Sequence, residues 1–319
     1  MNTLRKPERL DFGDTVGIVA PASAPADPHA VDGAASALER LGFKPKLGKN
    51  VRARLGFIAG SDRQRATDLM AMITDKEVKA IICLRGGYGT SRILNRLDYD
   101  LIRRHRKILS GYSDITSLHF ALIKKAGLVC FHAPMLNGEL AEATVPPFTR
   151  AAFLRAVMEA APAGSIRKGY AGGTACCLRG GTVEGSLIGG NLSLICASLG
   201  TPFAPSFKGK ILFFEEVNEP PYRLDRMLTQ LLNAGILSQV AGIAVGACHG
   251  SPIPEPKPDE EYRQSIFDVL KERLSSLHVP VVVGLPFGHS EMHATIPLGV
   301  RARLDGNQGD LIIIESAVR

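Results

Sequence analysis

The sequence predicts an α/β protein: an N-terminal doubly wound parallel sheet followed by a smaller β-rich domain. Three observations lead there. The first half alternates near-continuous apolar runs with stretches of helical spacing, the pattern of parallel strands covered on both faces by crossover helices. The second half changes texture, with many glycines and short strands interrupted by two helices. The length of 319 residues exceeds what one hydrophobic core usually serves, so two domains are expected. Boundaries fall at 1–140 for the α/β domain, 141–173 for a crossover rich in Pro and Gly, and 174–319 for the β-rich domain.

The elements follow in order. "TVGIVA" (15–20) has strand composition, and Asp27-Pro28 then reads as an N-cap with proline at the first helical position of a helix running towards Gly42. Ser61 opens a second helix with Leu69, Met70 and Ile73 on one face. "VKAIICL" (78–84), "KILSGY" (107–112) and "LVCFHA" (128–133) are strands, and "DITSLHFALIKKAG" (114–127) is a helix whose Lys-Lys-Ala-Gly ending suits a C-terminus. After 139–173, with one helical stretch, come strands at "KILFFEE" (210–216), "GIAVGA" (242–247), "VPVVVG" (279–284) and "LIIIE" (311–315), and helices at 221–234 and about 259–276. A mixed sheet or a barrel would both accommodate them.

Composition excludes several classes. Hydrophobic content of 45% with 22% charge supports a buried core and rules out a disordered chain. Net charge is +7, but the densest basic cluster (Arg103, Arg104, Arg106, Lys107) has no interleaved aromatics and reads as a solvated helix end, so no nucleic-acid partner is expected. The six cysteines lie mostly in apolar stretches without paired spacing, which fits free buried thiols in a reducing compartment and no zinc site. The N-terminus lacks the apolar core of a secretion signal, and no run approaches the ~20 apolar residues of a membrane span. A cytoplasmic protein without a membrane partner is expected.

Four stretches carry chemistry. In "SGYSDITSLHF" (110–120), Ser113 sits between a strand and a helix. It is either an N-cap or a nucleophile on a bend above a helix N-terminus, although the G-x-S-x-G spacing of the usual elbow is absent. "LRGGYGTS" (84–91) ends the neighbouring strand; its glycines can aim backbone N–H groups at an anion, and Arg85 can meet a carboxylate. Without G-K-[ST] it is not a nucleotide loop, and it can equally be a plain turn. Glu215 and Glu216 end a strand on opposite faces, so one points inward and the other meets solvent, or pairs with Arg223 or Arg226. In "GLPFGHSEMHATIPLG" (284–299), His289, Glu291 and His293 alternate as a metal trio would, but His289 in a glycine-rich loop reads better as a general base oriented by Glu215. His249 in "GACHGS" is the rival histidine.

Together these segments resemble the LD-carboxypeptidases, a serine peptidase family that also contains the microcin C immunity proteins. The resemblance runs in order through "IVAPAS" (18–23), "RGGYGTSRIL" (85–94), "GYSDIT" (111–116), "HAPM" (132–135), "GGNLSLI" (189–195), "FEEVNEPPYRLDRML" (214–228) and "GLPFGHS" (284–290). It implies a glutamine amidotransferase-like N-terminal domain. It also implies Ser113 as nucleophile, His289 as base, Glu215 as its orienting acid, and an oxyanion hole from the backbone N–H groups of Gly86, Gly87 and Asp114. The implied activity is release of terminal D-alanine from murein tetrapeptides during peptidoglycan recycling, by a homodimer that needs neither cofactor nor metal, with Arg85 binding a substrate carboxylate. The alternative within the family is hydrolysis of a peptidyl-nucleotide antibiotic, against which stands the absence of tryptophan for base stacking. A non-catalytic binder of small acidic ligands is the alternative from another class.

Overall fold

The computed structural model describes residues 4–141, 145–249 and 264–319. In chain order its strands are β1 (Thr15–Val19), β2 (Lys44–Leu47), β3 (Val78–Cys83), β4 (Ile108–Gly111), β5 (Cys130–His132), β6 (Gly164–Ser165), β7 (Cys176–Arg179), β8 (Thr182–Asn191), β9 (Ile211–Val217), β10 (Gly242–His249), β11 (Val281–Val283), β12 (Ile296–Leu298), β13 (Arg301–Asp305) and β14 (Asp310–Ile313). The α-helices are α1 (Ala30–Arg40), α2 (Asp62–Thr74), α3 (Tyr99–Arg104), α4 (Thr116–Ala121), α5 (Pro147–Met158), α6 (Leu192–Ser198), α7 (Pro221–Asn233) and α8 (Ile266–Leu274).

In the first sheet five parallel strands run β5-β4-β3-β1-β2. β4 is buried throughout and β3 at every position but Lys79, as strands covered on both faces must be. From β1 the chain steps outward to β2, then crosses back to β3 on the other side. The order therefore reverses between β1 and β3, and ligands of such sheets gather at the carboxyl ends of strands flanking that point. The loops there are 20–29, 84–89 and the turn after β4. A sixth strand, β12, pairs antiparallel with β5, so the chain beyond 174 returns to complete the first sheet.

The second sheet runs β6-β14-β13-β8-β9-β10-β11-β7. Its centre, β8 to β11, is parallel, and β7 and β13 flank it antiparallel, so it is mixed and not barrel-like. One apolar cluster runs through both sheets, from Leu10 and Ile18 to Phe213, Val282 and Ile313.

Local differences from the sequence reading have simple causes. Asp27 does not cap α1: its carboxylate accepts the His29 N–H at 2.8 Å in a local turn, and the helix starts at Ala30. Ser61 does cap α2, through a reciprocal capping box with Gln64. The stretch 113–127 divides into a 3-10 turn, α4 and a wider π turn that ends at left-handed Gly127. The expected start of the last helix near 259 lies outside the described residues. Lys107 is not solvated but donates to the Asp75 and Val78 carbonyls. Cys83, Cys130 and Cys196 are buried free thiols, whereas Cys176 and Cys177 are exposed on β7, where the antiparallel edge strand leaves them uncovered. Among the described residues no helix is long and apolar enough to cross a membrane.

Candidate active site

Ser113 sits where extended, buried β4 must turn abruptly into a helix. Its φ is +62°, one of two positive values among the described non-glycine residues. An N-cap residue is extended, so this backbone is not that of a cap; the strained conformation costs on the order of 1–3 kcal/mol and survives only where surrounding structure enforces it. Opposite lies Gly86, where a Cβ would stand 2.9 Å from Ser113 Cβ and 3.1 Å from its Oγ, so only glycine lets the loop after β3 approach the hydroxyl this closely. The backbone N–H groups of Gly86, Gly87 and Asp114 have no acceptor among the described residues. The Asp114 carboxylate is buried and accepts from Thr90 N at 2.8 Å and from the Thr90 hydroxyl, tying the serine turn to the glycine loop. Burial raises its pKa, which the Thr90 bonds only partly offset. Buried Arg65 donates to the carbonyls of Pro21 and Gly89, pinning the loops after β1 and β3 together. Arg85 is half-buried, donates to Ala24 O at 3.2 Å, and has no carboxylate partner among the described residues.

The second sheet delivers an acid and an imidazole. Glu215, near the end of β9, is wholly buried. His289 lies in the loop that follows β11, and its Nδ1 stands 2.6 Å from Glu215 Oε2, with its backbone N–H donating to the same oxygen at 3.4 Å. Gly288 has φ +96°, and a Cβ there would lie 2.5 Å from Glu215 Cβ. Glycine is thus required for the pair to close. Burial alone would lower the His289 pKa, but the Glu215 hydrogen bond and charge, with smaller contributions from Glu139 and Glu216, outweigh it and raise the pKa above the ordinary value. The Nδ1–H is committed to Glu215, which leaves Nε2 as a proton acceptor. The ring is joined to the serine turn by Tyr112, whose centroid lies 4.7 Å from that of His289.

Both acids on β9 are buried, which corrects the expectation that one would meet solvent. Glu216 is held by Asn191 Nδ2 at 2.9 Å, Ser193 N at 2.8 Å, Ser193 Oγ at 2.7 Å and Val217 N at 2.9 Å. Neither glutamate pairs with the helix arginines: Arg223 meets Glu219 at 3.4 Å, and Arg226 lies over the Tyr222 ring. Asn191 also donates its backbone N–H to Thr116 Oγ1 at 3.0 Å, so one polar chain joins α4 to β9. Sequence reasoning missed Thr90, Thr116, Tyr112, Asn191 and Glu139. Only "GGN" carried a signal, an asparagine just before helical spacing.

The rival histidines stand apart. His249 is exposed at the end of β10 and makes no side-chain bond among the described residues. His293 is fully buried while Glu291 is exposed, because residues 284–295 form an irregular loop in which strand alternation does not hold; the three residues do not share a face.

Family models for the LD-carboxypeptidase N-terminal and C-terminal domains match residues 16–133 and 184–304. The chain is 41% identical to a probable murein peptide carboxypeptidase of Bacillus subtilis, over 97% of this chain and 94% of that protein. It is 33% identical to the murein tetrapeptide carboxypeptidase of Pseudomonas aeruginosa, over 92% and 94%. Among solved structures, muramoyltetrapeptide carboxypeptidase from Oxalobacter formigenes matches with a TM-score of 0.80 at 31% identity, covering 94% of this chain and 99% of that one. The microcin immunity protein MccF with glutamyl sulfamoyl guanosine matches in fold with a TM-score of 0.87 at 23% identity, over 98% and 99%. The chain belongs to the LD-carboxypeptidase family.

Proposed function

We propose that this enzyme releases terminal D-alanine from murein tetrapeptides through an acyl-enzyme on Ser113. The observation that carries the reading is the 2.6 Å bond between His289 Nδ1 and Glu215, which leaves Nε2 free on a ring that packs against Tyr112, the residue before Ser113. His289 takes the Ser113 proton as Oγ attacks the carbonyl carbon and returns it to the leaving amine; water then repeats the sequence to free the acyl product. Glu215 holds the tautomer and stabilises the imidazolium. Gly86, which stands against Ser113 Oγ and Asp114 N, supports an oxyanion hole there, formed by the N–H groups of Gly86, Gly87 and Asp114, which have no acceptor among the described residues. Arg85 takes the D-alanine carboxylate. The relatives named for murein peptides support this substrate class. A cytoplasmic homodimer in peptidoglycan recycling is the matching cellular role.

The test is incubation of wild type and Ser113→Ala with a murein tetrapeptide and, separately, an aspartyl-adenylate analogue. Release of D-alanine by wild type and not by the variant is expected; cleavage of the nucleotide compound alone would favour the alternative substrate, and equal activity in both proteins would remove Ser113 as nucleophile.

A further inference from the structure

A cavity of about 440 Å³ lies where the chain enters β5 and β9, at the strand ends opposite those that bear the candidate active site. At ~3.3 Å per residue, β9 sets Lys210 at its start roughly 16 Å from Glu215 near its end. Register builds one wall. Ser186 pairs with Arg301 in the β8–β13 ladder and Leu187 with Ile211 in the β8–β9 ladder, so Ser186 and Lys210 are neighbours. The other wall is the N-terminal segment: Arg5 donates its N–H to Gly127 O at 2.7 Å and accepts that of Val129 at 3.0 Å, which brings Leu4 and Lys6 into the lining with Ile123 and Val129.

Charge in this cavity is uncompensated. Lys6 meets Glu315 at 2.8 Å, and Arg301 meets Glu184 at 2.8 Å, a carboxylate that it shares with Arg303. Lys210 is half-buried, and its ammonium makes no hydrogen bond or ion pair among the described residues. Burial, and then the nearby charge of Lys124, hold the Lys210 pKa below the ordinary value, and no carboxylate offsets them. The Ser186 and Ser206 hydroxyls of the lining donate to no protein acceptor among the described residues. One ammonium and two hydroxyls thus offer donors, and Lys124 and Lys210 supply two positive charges that a doubly charged anion balances. Leu4, Ile123 and Val129 make the remaining lining apolar, which suits an anion carrying a carbon group.

The geometry points to a second, non-catalytic site in this cavity that binds a small organic phosphate monoester, its dianion held by Lys210, Ser186 and Ser206 and its carbon part against Leu4, Ile123 and Val129. The cavity shares no residue with the candidate active site, so the site stands or falls apart from the carboxypeptidase reading.

The probe is phenyl phosphate, compared with inorganic phosphate, which lacks the apolar group, and benzoate, which lacks the second charge. Calorimetry on the wild-type protein is expected to give phenyl phosphate a dissociation constant about tenfold or more below either, and Lys210→Gln should raise it about tenfold or more. Arg85→Ala, at the candidate active site, should leave it unchanged. Absence of phenyl phosphate binding, equal affinity for benzoate or for inorganic phosphate, or a loss caused by Arg85→Ala and not by Lys210→Gln would overturn the inference. A second measurement needs no variant and covers a Lys210→Gln protein that fails to fold. Phenyl phosphate at about ten times its dissociation constant should slow acetylation of Lys210 by acetic anhydride about tenfold, read by peptide mapping, with exposed Lys208 as the unprotected reference. Unslowed acetylation of Lys210, or equal slowing of Lys208, would also overturn it.

Discussion

Ser113 pairs a left-handed backbone with a neighbour, Gly86, that cannot carry a side chain. Gly86→Ala should therefore cost far more activity than stability: its methyl meets Ser113 at 2.9 Å and disturbs a proposed oxyanion donor, a position where losing one donor costs about 10²–10³ in kcat. Steady-state kinetics beside urea unfolding of the same protein checks this. His289 gives a pH prediction with a defined sign. The proposed base works when neutral and its pKa is raised, so kcat/KM should fall as pH drops through a value above the ordinary ~6.5 of histidine. Glu215→Gln removes the largest raising cause, so the acidic limb should move to lower pH while kcat drops by roughly 10⁴, as loss of an orienting acid does elsewhere. A limb that stays in place would mean that another group sets it.

At the scale of elements, the turn after β4 and the end of β9 are joined through side chains and not through adjacent strands. Thr116, Asn191 and Glu216 form that link, with Asp114–Thr90 as its counterpart inside the first sheet. Glu216→Ala strands the Asn191 amide and the Ser193 and Val217 N–H groups in a buried site, and should lower unfolding free energy by about 2–4 kcal/mol in urea titrations. Most strands were legible because apolar runs such as "VKAIIC" and "ILFFEEV" leave little choice of element. β2 was not, since "KPKL" at a sheet edge has no apolar pattern, and neither was β12, whose "IPL" is too short to mark a strand and joins a sheet built 160 residues earlier. The pairing of Glu215 with a buried Glu216 was also hidden: alternation shows that neighbours face opposite sides, but not that both sides are covered.

Across the whole molecule, Ser113 comes from the first sheet and Glu215 and His289 from the second, with Tyr112 packed against His289, His132 and His293 where the halves meet. The candidate residues were legible as motifs; the meeting of His289 with Glu215 and with the Tyr112 ring next to Ser113 was not, because it depends on long-range packing that no local spacing encodes. The same packing buries three histidines without hydrogen-bond partners for their rings among the described residues: His119, His132 and His293. Burial lowers the pKa of His119 to about 3 and that of His293 to about 3, and lowers that of His132 as well. The unfolded chain then binds protons that the folded one refuses. Stability from these groups is complete above about pH 6.5 and falls with acidification, by about 1.4 kcal/mol per pH unit for each histidine. His119→Leu, in the buried interior of α4, should flatten the curve of unfolding free energy against pH by one such slope between pH 6.5 and the onset of acid denaturation; parallel curves would refute it.

The most direct measurement of the central claim is labelling with a fluorophosphonate followed by peptide mapping, on wild type, Ser113→Ala and His289→Ala. A single adduct on Ser113, absent from Ser113→Ala and slowed by orders of magnitude in His289→Ala, is the expected result. An adduct on another residue, or labelling of Ser113 at an undiminished rate without His289, would contradict a hydroxyl activated by that imidazole.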